Sequence, residues 1–345
     1  MKAVIITNSQ SIEFADIPEP TCGDFDVITE TLACGICNGT DAKIIEGHFP
    51  DLETYPLVLG HEAVGRVVAK GSKVRSFQIG DMVLRPGLED KDLEPHGLAS
   101  GWGAFAEYTK ATDAAALKAN GIHEFNGLFL SQQTVPEWMD PVDAVMLITY
   151  KETLSALLQF GVRTAQPVVV IGAGPVGQCL ARACKLLGCY PVIVADFNED
   201  RLARAQAAGV DHVVNSRNTP FRERVREVLP DGAPFVVDAV GSVNAMNDAL
   251  AVIANHGKIC VYGVPPAPEL MLDASLAPYH WQLEYLIFPT FEVESAVHDS
   301  VISYVSLGFL KPRDIVDDVA GFEELPQAMD RILSRSSLKA VIRLA

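Results

Sequence analysis

The chain has 345 residues, 49% of them hydrophobic and 21% charged, which is enough apolar material for two domains of about 150 residues each. The formal net charge of −17 argues against a general DNA- or RNA-binding role, which needs a basic patch, and the apolar content excludes intrinsic disorder. No apolar run approaches the roughly 18 residues of a membrane span, so no membrane partner is expected. Residues 1–6 read as a short strand without the basic stretch and long apolar core of a signal peptide, and the expected location is the cytoplasm. The short β-type runs at 1–7, 27–33 and 64–68 are followed by turns at Gly71-Ser72 and Gly80-Asp81 and by the apolar Met82-Val83-Leu84, a spacing that predicts a small β-rich domain. Residues 85–103, rich in Gly, Pro and charge, read as a surface loop, and Pro136 and Pro141 mark further loop in the hard-to-read 107–143.

The texture changes after Asp143. Helical spacing over 144–161 precedes a fully apolar strand at 168–171, a helix over 176–187, a second strand at 192–195 and a helix over 200–208. Val213-Val214 and strands at 235–237 and 258–262 follow, with a helix over 243–254 between the last two. Apolar strands alternating with helices predict an α/β fold with a doubly wound parallel sheet. Past Pro289 the alternation weakens, and 338–344 reads as a final strand.

Two groups of residues carry chemistry. The first strand of the alternating region runs into Gly172-Ala173-Gly174-Pro175-Val176-Gly177, a G-x-G-x-x-G between strand and helix. Gly172 permits the tight turn, Gly174 lets a pyrophosphate approach the backbone, and Gly177 lets the helix pack on the strand. The helix N-terminus offers free N–H groups and the positive end of its dipole. Asp196 ends the next strand, about 20 residues on, where an acid binds the ribose 2′-hydroxyl and repels a 2′-phosphate. The expected cofactor is NAD rather than NADP, with Arg201 read as a surface charge. The second group is Cys37 with Gly60-His61-Glu62, whose thiolate, imidazole and carboxylate are ordinary zinc ligands. The seven cysteines, odd in number, do not form the pattern of a secreted disulfide framework, and Cys34, the partner of Cys37 in a C-x-x-C, reads as a packing residue.

The run Gly60-His61-Glu62-Ala63-Val64-Gly65 through Gly71 and Val74 resembles the signature of zinc-containing alcohol dehydrogenases, in the medium-chain dehydrogenase/reductase superfamily. The similarity extends to Gly35-Ile36-Cys37 with Thr40-Asp41, to Gly103-Ala104-Phe105-Ala106-Glu107-Tyr108, to the glycine fingerprint and to Lys339-Ala340-Val341-Ile342. It implies a GroES-like β-rich catalytic domain over 1–150, a Rossmann NAD-binding domain over 151–289, and a return segment, 290–345, completing the first. It further implies a catalytic zinc on Cys37 and His61, a proton relay starting at Thr40 with Lys43 in the outer position, and Lys339 near the cofactor pyrophosphate.

Several departures qualify the resemblance. No cysteine lies in 85–103, so the family's structural zinc is expected to be absent. Asn38-Gly39 adds one residue between Cys37 and Thr40. The further Glu ligand of the polyol branches falls at Ile148 or Thr149, neither of which can replace it; Glu152, a helical turn later, is the candidate to take over the role or to face the nicotinamide, so that Cys37, His61 and Glu62 are expected to bind zinc with Glu152 or water completing the site. The leading expectation is an NAD-linked zinc enzyme acting on a secondary alcohol of sugar, polyol or cyclitol type, as a homodimer or homotetramer. Alternatives are a metal-free quinone or enoyl reductase and a non-catalytic NAD-binding protein. Phe49, Trp102 and 285–291 are expected to shape the substrate pocket, and 118–140 is open to a role in specificity or an oligomer contact.

Overall fold

Residues 1–8, 11–50, 52, 54–264 and 271–345 are described by the computed structural model. The chain divides into two compact units, one made of Met1–Ile148 with Pro312–Ala345 and the other of Thr149–Lys311.

The first unit is built on β-sheets. Its long central strand, Asp26–Gly35, pairs antiparallel with Glu62–Lys70, with Tyr108–Thr112 and with the late strand Ala340–Arg343. The Tyr108–Thr112 strand lies in the stretch whose sequence gave no clear period. Its residues are polar yet buried, because Thr29, Thr31 and Thr109 satisfy one another's hydroxyls across the strands at 2.8 and 3.1 Å. The helix Ala114–Ala119 follows, started by Asp113, whose side chain accepts the Ala116 N–H. The 85–103 loop is also more ordered than expected. It carries the short helix Asp90–Leu93, with Asp92 bonded to the Glu89 N–H at 3.1 Å and to Lys110 Nζ at 2.7 Å. Ser100 closes it, its N–H on Asp90 and its hydroxyl on the Leu88 carbonyl.

In the second unit the strand order is His212–Asn215, Val192–Asp196, Val168–Ile171, Ala233–Asp238, Ile253–Val261, Trp281–Tyr285, all parallel. This is the doubly wound Rossmann order, and it reverses between Val168–Ile171 and Ala233–Asp238. Val168, Val169 and Val170 are wholly inaccessible, as a strand covered on both faces requires. Residues 290–311, expected in the return segment, belong to this unit, and the chain returns only at Pro312. The cause is packing: the helix Phe291–Ala296 places Glu294, 1% exposed, 3.6 Å from the fully buried Lys151. The helix Pro141–Phe160 is buried nearly all round, and it folds its own hydroxyls back, with Thr153 on the Thr149 carbonyl and Ser155 on that of Lys151, both at 2.7 Å.

Candidate active site

The antiparallel pairing aligns Gly35 with Glu62 and Cys34 with Ala63, so Cys37, two residues past the strand, arrives beside His61. Gly35 is needed here, since a Cβ would collide with Glu62 Oε2. Ligand atoms of Cys37, His61 and Glu62 lie within 4.8 Å of one another. All three residues belong to the first unit. Glu152 lies in the second unit.

Two groups behind the cluster set its electrostatics. Asp41, fully buried at the start of the helix Asp41–Ile45, accepts the Cys37 N–H at 2.8 Å on Oδ2, and its Oδ1 lies 3.2 Å from His61 Nδ1. The contact is an ion pair without hydrogen-bond geometry, neither atom having a hydrogen-bond partner among the described residues. Burial opposes protonation of His61, but Asp41 and Cys37 outweigh it and hold its pKa well above the ordinary value. Lys339 is buried with Nζ on Glu62 Oε2. Burial alone would raise the Glu62 pKa; Lys339 and His61 lower it below the usual carboxylate value. The Lys339 ammonium is thus paired with a carboxylate of its own unit.

Thr40 occupies the position before the Asp41–Ile45 helix and is 5% exposed, its carbonyl accepting the Ile44 N–H. The added residue is absorbed in a turn closed by Asp41 N–H on the Cys37 carbonyl at 2.9 Å. Lys43, half-buried, has its pKa lowered by desolvation against the pull of Glu46 and Cys37. Trp102 packs its ring 5.2 Å from that of His61, with Phe49 edge-on to it at 5.8 Å. These two aromatic residues, uninterpretable from sequence, form a wall beside the cluster.

At the fingerprint, Gly172 has φ +98°, and a Cβ on Gly177 would strike the Gly172 carbonyl. Gly174 faces open space, with nothing within 4 Å of a Cβ placed there, and the helix Pro175–Leu186 starts directly after it. A phosphate fits such a cradle. Asp196 accepts the Ala173 N–H at 2.6 Å and those of Phe197 and Asn198 at 2.7 and 2.9 Å. It thereby ties the glycine turn to the second strand. Arg217 stacks its guanidinium 5.4 Å from the centre of the Phe197 ring, a cation beside Asp196 that the sequence did not reveal. Asp41 could have been suspected from its place four residues after a ligand cysteine; Arg217 offered no such signal.

Residues 23–121 match the family described as alcohol dehydrogenase GroES-like domain, and residues 175–283 the family described as zinc-binding dehydrogenase. A probable zinc-binding alcohol dehydrogenase of Mycobacterium tuberculosis is 32% identical over 276 residues, covering 76% of this chain and 68% of its own. The chain belongs to the zinc-dependent alcohol dehydrogenase family. Sorbitol dehydrogenase of Bacillus subtilis is 25% identical over 350 residues, 96% of this chain and 94% of its own. The structure of benzyl alcohol dehydrogenase from Acinetobacter calcoaceticus shares the fold, with a TM-score of 0.84 at 20% identity over 100% of this chain and 99% of that one. As a member of the family the protein is an oxidoreductase with a GroES-like unit and a Rossmann-type unit. Among the described residues no helix is long and apolar enough to cross a membrane.

Proposed function

We propose that this dehydrogenase interconverts a secondary alcohol of the polyol, sugar or cyclitol type and its ketone, with NAD as redox partner and one zinc ion per chain. The observation that carries the reading is the convergence of Cys37, His61 and Glu62 with Asp41 behind the imidazole. Thiolate, imidazole and carboxylate are the donor set of a zinc site that keeps one position open. Bound there, zinc supplies Lewis acidity that lowers the pKa of an alcohol oxygen. The chain's own residues do the rest. Asp41 orients His61, Lys339 keeps Glu62 ionised, and the Thr40 hydroxyl takes the alcohol proton outward. Gly174 and the opening of the next helix hold a pyrophosphate, and Asp196 receives ribose hydroxyls, which favours NAD over NADP. The cysteine-free 85–103 loop argues against a second, structural zinc. Relatives named sorbitol dehydrogenase and D-arabinitol dehydrogenase, the latter from Uromyces fabae at 26% identity, support the polyol class. The same reading expects a cytoplasmic homodimer or homotetramer.

The test is metal analysis of purified protein together with NAD reduction against a panel of polyols and secondary alcohols. One zinc per chain and NADH formation are expected, and Cys37→Ser and His61→Ala should each lose both. Two zinc ions per chain would refute the reading of the loop. Zinc-free protein that reduces a quinone or enone would establish the metal-free alternative, and NAD binding without turnover on any substrate the non-catalytic one.

A further inference from the structure

The Rossmann unit buries an acid that no step above uses. Asp238 ends the strand Ala233–Asp238 where the strand order reverses, paired with Ile171 on one side and Val261 on the other. It is wholly inaccessible. Its Oδ1 accepts the N–H groups of Val240 at 2.8 Å and Gly241 at 3.0 Å. Its backbone carbonyl accepts those of Tyr262 and Gly263 at 2.9 and 3.0 Å. The turn held in this way is wedged on both sides. A Cβ on Gly172 would meet Val240 Cγ2 at 2.7 Å, and a Cβ on Gly241 would meet the Gly263 carbonyl at 2.5 Å. Asp238 therefore sets the position of Val240 against the first glycine of the fingerprint.

Its second oxygen, Oδ2, is buried with no hydrogen-bond partner among the described residues. An ionised carboxylate with one oxygen desolvated and unbonded is costly, whereas a neutral acid puts its proton there. We propose that Asp238 is a positioning residue of the dinucleotide site, acting as a neutral acid that locks the Val240–Gly241 turn against Gly172. The titration direction agrees: burial raises the carboxyl, the two N–H groups lower it, and Asp248 on the adjoining helix raises it further. Tyr285, on the edge strand, has its pKa raised by its own burial and by Asp238. Ionisation of Asp238 puts a second negative charge near Asp248 and loosens the turn, so dinucleotide affinity falls as pH rises through the raised pKa.

The proposal rests on the glycine turn being the dinucleotide site, and the experiment separates the two. NADH is titrated by fluorescence into purified wild-type protein, Asp238→Asn and Asp238→Ala from about pH 4 to 9, so that the range begins near the ordinary carboxyl value. Asn keeps the accepting oxygen and places a neutral donor at Oδ2. Expected is wild-type affinity that weakens with rising pH, Asp238→Asn matching the wild type at low pH and staying flat, and Asp238→Ala weaker by about tenfold throughout. Should Asp238→Ala fail to fold, the Asp238→Asn profile still decides. Parallel pH profiles for the wild type and Asp238→Asn overturn the proposal, as does an Asp238→Asn weaker than wild type at every pH. Wild-type protein that binds NADH at no pH overturns the dinucleotide site itself and this inference with it.

Discussion

Single side chains divide the labour at the two sites. Thr40 holds a hydroxyl next to Asp41 in a buried setting, and proton transfer from an alcohol at such a site needs a carrier. Thr40→Val removes the carrier but no metal donor. Turnover should fall about 100-fold with zinc content unchanged, checked by steady-state rates beside elemental analysis. Lys43→Ala should lose much less; a large loss rescued by amine buffers would make Lys43 the terminal base. At the other site, the proposed NAD preference rests on the charge of Asp196, with Arg217 on the Phe197 ring as the opposing cation. Asp196→Ala should therefore narrow an NAD preference of about 1–3 kcal/mol, and adding Arg217→Ala should remove the NADP affinity gained. Competitive binding of NADH and NADPH to the single and double variants tests this. Equal affinity of the unmodified protein for both would refute the role given to Asp196.

Among the elements, the Ala114–Ala119 helix depends on one residue. Burial raises the Asp113 carboxyl, but N–H groups of Ser76, Ala116 and Arg75 outweigh it and leave the pKa below the ordinary value. A lowered pKa means that the stabilisation is full above the unfolded value near 3.9 and is lost as pH falls through the folded value. Asp113→Ala should cost about 1–3 kcal/mol in urea unfolding at neutral pH, and the gap to wild type should shrink as the medium turns acid. The Lys151–Glu294 pair ties two helices of the second unit. Lys151→Met removes the cation facing the buried Glu294 and should cost about 3–5 kcal/mol, most of it recovered in Lys151→Met/Glu294→Leu. Denaturation of the two single variants and the double gives the answer. These elements also show where the sequence could be read. The 168–171 strand and its glycine turn declare themselves through local spacing. Tyr108–Thr112 does not, because Thr109 pairs with the hydroxyls of Thr29 and Thr31 about 80 residues away in the chain and Thr112 donates to Asp26 Oδ1, so no hydrophobic period survives.

For the whole molecule, the metal-type cluster and the glycine fingerprint lie in different compact units. Prolonged chelation should abolish turnover yet leave NADH binding within about twofold, and zinc should restore the rate. Loss of NADH binding on chelation, read by fluorescence, would show the two sites to be coupled. The donors Cys37, His61 and Glu62 were legible because their chemistry is rare at such spacing. The pairing of Lys339 with Glu62 was not, since burial makes it and burial is a tertiary property, and Asp41 was signalled only by its place four residues after Cys37. The return point at Pro312 was missed for the same reason, as Lys151 and Glu294 meet only in the folded chain.

The contact between Lys339 and Glu62 joins residues 277 positions apart. A ribosome adding about 5–20 residues per second delivers the lysine roughly 14–55 s after the glutamate. Over that interval the second unit, Thr149–Lys311, can emerge whole, while the first still lacks its Ala340–Arg343 strand. The Glu62 carboxylate must meanwhile stay hydrated or find another cation. Completion of the metal-type cluster thus waits for Lys339, and the nascent chain can finish the unit that carries the glycine fingerprint before it finishes the cluster.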